Sequence, residues 1–133
     1  MDCGLYQQIP FRDAAGEGFR PGGLELTGVL AETCALQPDE RVLDLACGAG
    51  LTASHLTRAY GVKATGLDAS PEFLSEARER DAAVEWVLGS AANLPFEAES
   101  FDVVFAECFL SAFADPAPIL REIRRVLRPG GRS

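Results

Sequence analysis

No C-x-x-C pair occurs among the four cysteines, Cys3, Cys34, Cys47 and Cys108, and the chain holds a single histidine, His55. A zinc cluster, which usually draws on several such ligands at close spacing, is therefore not expected, nor is any other metal. Apolar neighbours around Cys34 and Cys108 suggest reduced, partly buried thiols in a cytoplasmic protein. Basic charge is also scarce: 12 Lys and Arg face 20 Asp and Glu, for a net charge of −8. That balance argues against a nucleic-acid binder, which coats phosphates with cations. No apolar run approaches the ~18–20 residues of a membrane span. The first residues, with Asp2 and Arg12 among them, lack the apolar core of a signal peptide. A soluble cytoplasmic chain with no membrane partner is expected. Repeats and low-complexity segments are absent too. With 47% hydrophobic and 24% charged residues over 133 positions, the composition is that of one globular domain able to bury a core.

What is present is organised around Arg41 to Gly50, R-V-L-D-L-A-C-G-A-G. Val42, Leu43 and Leu45 form the short apolar run of a strand buried in a parallel sheet. Asp44 interrupts it with a charge that is costly to bury without a partner. Gly48 and Gly50 let the backbone turn tightly into a helix and let a ligand approach. Strand, glycine turn and helix N-terminus together make a site for a nucleotide-like ligand.

Residues 1–21, with Tyr6, Phe11 and Phe19, show no sustained period and read as an irregular arm, leaving 22–133 as the domain. Leu26, Val29, Leu30 and Thr33 predict an amphipathic helix over about 24–36. A second helix follows the glycine turn over roughly 50–60, with Gly61 as its C′ residue. Val62–Leu67 is a strand finishing on Asp68. Ser70-Pro71-Glu72 opens a third helix as N-cap, N1 proline and acid at the positive end of the dipole, with Phe73, Leu74 and Ala77 buried. Val84–Leu88 and Phe101–Ala106 are strands three and four, separated by a loop holding Leu94-Pro95-Phe96. Asp115-Pro116 opens a last helix with Ile119, Leu120, Ile123, Val126 and Leu127 on one face, stopped by Pro129-Gly130-Gly131. Such alternation predicts an α/β fold, a doubly wound, mostly parallel sheet of four strands with helices on both faces.

In such sheets ligands bind beyond the carboxyl ends of the strands. The residues there are Asp44 to Gly50, Asp68-Ala69, Ser90-Ala91 and Glu107-Cys108. Asp68 follows Gly48 by 20 residues, the separation at which an acid on the second strand receives a ribose diol; capping a loop is its simpler role. Gly48-Ala49-Gly50-Leu51-Thr52-Ala53 literally fits G-x-G-x-x-G/A, the dinucleotide pattern. Asp44 tells against a pyrophosphate there and favours a ligand with a cationic amino or sulfonium group, unless loop amides satisfy it as a structural acid.

Together, V-L-D-L-A-C-G-A-G, G-L-D-A-S-P, L-P-F before F-D-V-V, and L-R-E-I-R-R-V-L-R-P-G-G-R resemble a class I S-adenosylmethionine-dependent methyltransferase of the small-molecule type, over about 41–132. The resemblance implies a Rossmann-like domain, S-adenosyl-L-methionine as methyl donor with S-adenosyl-L-homocysteine as product, and a small-molecule acceptor. It implies that Asp44, Ala46, Gly48 and Gly50 line the methionine end of the cofactor and that Asp68 holds the ribose hydroxyls. Ala69 would flank adenine, Ala91 would offer its backbone to the ring, and Glu107 would face the methyl donor and the acceptor. Where the family often has an acid toward the adenine amino group, this chain has Ser90, a neutral and weaker acceptor.

In the strand order that the resemblance implies, 3-2-1-4-5-7-6, this chain stops at Ser133 with the last three strands expected to be missing. Strand four would then be an open apolar edge, and a homodimer could cover it. The implied reaction is in-line displacement of methyl from sulfonium, in which proximity carries most of the catalysis and no metal is required. Glu107 and His55 are the candidate general bases, with His55 read mainly as a packing residue. A non-catalytic cofactor-binding module and an NAD-dependent oxidoreductase are the competing readings.

Overall fold

The computed structural model describes residues 23–106 and 114–133, with side chains from Thr27 onward. The N-terminal arm and the candidates Glu107 and Cys108 lie outside the described residues.

Nine elements follow in order: α1 (Gly23–Thr33), β1 (Arg41–Leu45), α2 (Leu51–Tyr60), β2 (Lys63–Asp68), α3 (Pro71–Arg80), β3 (Glu85–Leu88), β4 (Phe101–Phe105), α4 (Ala117–Val126) and β5 (Leu127–Arg132). The strands form one sheet in the order β3-β2-β1-β4-β5, every pair parallel. In register, Asp44 of β1 lies between Gly66 of β2 and Phe105 of β4. Strand order reverses between β1 and β4, so the crevice beyond their carboxyl ends is the switch point of the sheet.

Side-chain alternation along the strands splits the core in two. On one face Val42, Ala64, Trp86 and Val103 pack with Leu30, Leu56 and Leu74 of α1–α3. On the other, Leu43, Leu45, Leu67 and Val104 pack with Ile119, Ile123 and Val126 of α4 and with Leu94 of the β3–β4 loop. Helices thus cover both faces.

Local chemistry sets the ends. Gly61 adopts φ 69° and donates its N–H to the Thr57 carbonyl at 3.1 Å, closing α2. Ser70 Oγ accepts the Phe73 N–H at 3.2 Å, capping α3 behind Pro71. Asp115 Oδ1 accepts the Ala117 N–H at 3.1 Å ahead of α4.

Four expectations need correction. The sheet has five strands, not four: β5 pairs with β4, Phe101 opposite Leu127 and Val103 opposite Arg132 across a register shift. The observed order is the first five positions of the order that the resemblance implies. Pro129-Gly130-Gly131 does not stop the helix, which has already ended at Val126, but lies within strand β5, held by charge. Arg128 Nε donates to Asp102 of β4, and Arg132 Nη2 donates to Glu40 Oε1 at 2.6 Å, just ahead of β1. Strand four therefore has no open edge, and the reason for a dimer there falls away. Second, α4 ends at Val126, so Leu127 belongs to β5. Third, Phe73 is 41% exposed, while Leu74 and Ala77 are fully buried. Fourth, Cys34 is fully buried and disulfide-bonded instead of a free thiol. No helix among the described residues is long and apolar enough to cross a membrane.

Candidate functional site

The carboxyl ends of β1, β2 and β3 bring most of the expected residues together. The turn from β1 to α2 winds through a run of left-handed backbone: φ is 54° at Ala46, 55° at Gly48 and 88° at Gly50. Glycine takes that conformation readily, whereas at Ala46 it costs about 1 kcal/mol, strain of the kind that clusters at functional sites. Two backbone bonds set the turn: Cys47 N–H donates to the Leu67 carbonyl at 3.0 Å and Gly50 N–H to the Cys47 carbonyl at 3.1 Å. A methyl built on Gly48 would meet nothing within 4 Å, so the backbone there faces open space. Arg80 Nε, at the end of α3, donates to the Ala49 carbonyl at 3.1 Å and ties the turn from outside.

Asp68 closes β2 beside this turn. Its Oδ2 accepts the Gly48 N–H at 2.9 Å and its Oδ1 accepts the Ser70 N–H at 2.9 Å. Each oxygen keeps a further lone pair, and the carboxylate is half-buried, so two neighbouring hydroxyls can still donate to it. Ala69, next in sequence, is exposed.

Asp44 lies one residue inside β1 and is 3% exposed. Burial pushes the Cys47 thiol well above its ordinary range, and the Asp44 and Asp68 carboxylates push it further. Cys47 is thus a buried, protonated thiol and a poor nucleophile. Beyond β3, Ser90 Oγ accepts the Ala92 N–H at 3.2 Å, and Ala91 packs half-buried against the α4 side of the core. Glu107 follows β4 in sequence but lies outside the described residues. His55 sits on α2 with its ring edge-on to Tyr60 at 6.3 Å. No group of three or more His, Cys, Asp and Glu among the described residues is arranged to hold a metal.

A hollow of about 600 Å³ lies at the opposite, amino ends of the strands, lined by Arg41, Lys63, Thr65, Glu85 and Phe101 among others. It is lined by none of the strand-end acids or glycines.

Sequence reasoning missed three residues that build the turn: Gly66, Trp86 and Arg80. Gly66 carried a signal, since a glycine inside a strand marks a close approach of another group. Here that group is the Trp86 ring, 2.6 Å from where a Gly66 methyl would be. Arg80 carried none.

A model of the methyltransferase domain matches residues 43–133, from β1 through β5. The chain belongs to this methyltransferase family. It is 40% identical over 93 residues to demethylmenaquinone methyltransferase of Chlorobaculum tepidum, covering 70% of this chain and 38% of that protein. To the uncharacterized methyltransferase YodH of Bacillus subtilis it is 38% identical over 119 residues, covering 86% of this chain and 50% of that one. Among solved structures, phosphoethanolamine N-methyltransferase 2 of Haemonchus contortus, in complex with S-adenosyl-L-methionine, superposes with a TM-score of 0.79 at 29% identity, over 88% of this chain and 29% of that chain. The methyltransferase domain described here thus spans half or less of the length of these relatives.

Proposed function

We propose that the chain binds S-adenosyl-L-methionine at the β1–α2 turn and serves a methyltransferase that acts on a small-molecule acceptor, releasing S-adenosyl-L-homocysteine. The observation that carries this reading is the Asp68 carboxylate, aimed by the Gly48 amide and lying beside a turn whose front is open. A carboxylate with spare lone pairs suits a ribose diol, and side-chain-free backbone suits the close approach of the methionine end.

In this reading Asp68 holds the ribose hydroxyls, while Ala46, Gly48 and Gly50 give backbone to the methionine end. Asp44 supplies negative potential toward the cationic amino and sulfonium groups from inside β1. Ala69 flanks the adenine ring, Ala91 offers its backbone to it, and the Ser90 hydroxyl faces the adenine amino group. Glu107, in the segment after β4, is the group assigned to the acceptor side. The bound cofactor supplies an electrophilic methyl on sulfur, displaced in line by the acceptor's nucleophile. The protein's share is alignment of the two reactants. Relatives that carry the names of a quinone-precursor and a phosphoethanolamine methyltransferase support a small-molecule acceptor.

Calorimetric titration of the 133-residue chain with S-adenosyl-L-homocysteine, beside NAD, tests the reading. Saturable binding of S-adenosyl-L-homocysteine, weakened in Asp68→Ala, is expected. Preferential binding of NAD would replace it with the oxidoreductase reading, to which the G-x-G-x-x-A match points.

A further inference from the structure

Trp86 is the only tryptophan of the chain. It sits in β3 opposite Gly66 and is 9% exposed. Its ring reaches from β3 across Gly66 to the underside of the glycine turn. A methyl on Gly66 would lie 2.6 Å from Cε3 and Cζ3, and one on Gly50 would lie 2.5 Å from Cη2. Real side-chain carbons do not come so close, so the indole fills the volume that both glycines leave vacant. Turn and ring touch with no slack.

The ring is itself held. Trp86 Nε1–H donates to the Asp81 carbonyl at 2.7 Å. The buried Asp81 carboxylate accepts the Ser54 hydroxyl at 2.8 Å and the Arg58 Nε–H at 3.2 Å through Oδ2, and the Ala83 N–H at 3.0 Å through Oδ1. Ser54 returns to the turn, donating its N–H to the Gly50 carbonyl at 3.0 Å. Gly50, Ser54, Asp81 and Trp86 therefore close a ring of contacts joining the turn, α2 and β3. Its output is at Gly48, two residues before Gly50, whose amide aims the Asp68 carboxylate.

We infer that Trp86 is a positioning residue of the site: its indole, anchored on Asp81, fixes the height and tilt of the turn so that the Gly48 amide meets Asp68. Ordinary core filling predicts something different. An aliphatic replacement would then lower stability throughout and leave the Gly48–Asp68 bond alone. That the positioned site takes S-adenosyl-L-homocysteine rests on the function proposed above; the positioning itself does not.

The test compares wild type, Trp86→Phe and Trp86→Leu as full 133-residue chains. Amide hydrogen exchange is followed by NMR without ligand, and affinity for S-adenosyl-L-homocysteine is measured by calorimetry. In Trp86→Leu the Gly48 and Cys47 amides exchange at least about tenfold faster. The Glu99 amide, bonded to the Arg125 carbonyl on the far side of the sheet, keeps its rate. Affinity for S-adenosyl-L-homocysteine falls about tenfold, with Trp86→Phe between the two. Unchanged exchange at Gly48, or equal acceleration at Gly48 and Glu99, overturns the inference whatever the titration gives. Should wild type bind no S-adenosyl-L-homocysteine, the functional reading falls while the exchange contrast still decides the role of Trp86. Should Trp86→Leu not fold, the same contrast is read in Trp86→Phe, which keeps an aromatic ring but loses the bond to Asp81.

Discussion

The amide of Gly48 donates to the carboxylate of Asp68 at 2.9 Å, joining the turn after β1 to the end of β2 across 20 residues of chain. The bond orients the acid and leaves it capacity for two further donors. Hydrogen bonds to a charged group contribute about 1.5–3 kcal/mol each, so two from a ribose would amount to about 3 kcal/mol or more, a factor of ~100 in affinity. Asp68→Ala is expected to weaken S-adenosyl-L-homocysteine binding by that factor in calorimetry, with Asp68→Asn in between. Wild-type affinity in Asp68→Ala would remove Asp68 from the ligand.

The two glycines of the turn differ in a way that two alanine variants separate. At Gly48, φ is 55° but a methyl meets nothing within 4 Å, so the cost is backbone strain of about 1–2 kcal/mol and the methyl occupies the open front of the turn. At Gly50, φ is 88° and the methyl runs into Trp86 and, at 2.9 Å, into Ala77 Cβ, adding overpacking of about 1–3 kcal/mol to the strain. Gly48→Ala therefore loses S-adenosyl-L-homocysteine affinity out of proportion to its melting temperature, whereas Gly50→Ala loses stability first. Equal behaviour of the two in thermal melts and titrations would mean that the front of the turn is not a ligand surface.

Most of this frame is legible in the sequence because its signals are local. The apolar run Val42–Leu45, Gly61 as a helix stop, and Ser70-Pro71 as a helix start each act within a few residues, and the structure has them as expected. The strand Leu127–Arg132 was not legible, because its residues argue against it and its support is distant. Pro129 and the glycines have low strand propensity, while Asp102 and Glu40, which hold Arg128 and Arg132, are 26 and 92 residues away. For the same reason Asp68 was readable from its spacing to Gly48, but Trp86 was not: its contacts with Gly50 and Gly66 exist only once β2 and β3 are side by side.

The loop between β3 and β4 hangs on two paired side chains of α4. Glu122 Oε1 accepts the Leu94 N–H at 2.7 Å, and Arg125, paired with Glu122 at 2.7 Å, donates to the carbonyls of Leu94 at 3.1 Å and Phe96 at 2.8 Å. The bond from Arg125 comes first among the causes that hold the Glu122 carboxyl below its usual range. Glu122→Ala leaves the Leu94 amide without its acceptor and frees Arg125, at a cost of about 1–3 kcal/mol. Denaturant unfolding should show that loss, and amide exchange should place it at Leu94 before it reaches β1. Unchanged protection at Leu94 would show that the loop is held by its apolar side chains alone.

Acid should release β5 through Asp102. Burial by itself would raise that carboxyl, but the Arg41 N–H at 2.7 Å, the Arg41 guanidinium and the Arg128 guanidinium overcome it and hold the group at about 2. A carboxyl depressed in the folded state contributes stability that is complete above its unfolded value near 4 and fades as pH falls through 2. Asp102 side-chain exposure is 14%, but Arg41 and Arg128 are 48% and 38% exposed, so solvent screens the pairs in part and the energy is discounted accordingly. A depression of nearly two pH units corresponds to about 2 kcal/mol at neutral pH. Asp102→Asn should therefore unfold about 2 kcal/mol more easily than wild type at pH 7, and the gap should close between pH 4 and pH 2. Arg41 and Arg128 stay charged throughout that range, so the closing gap reports the carboxyl. A gap that stayed constant down to pH 2 would show that Asp102 holds β5 by shape and neutral hydrogen bonds instead of by charge.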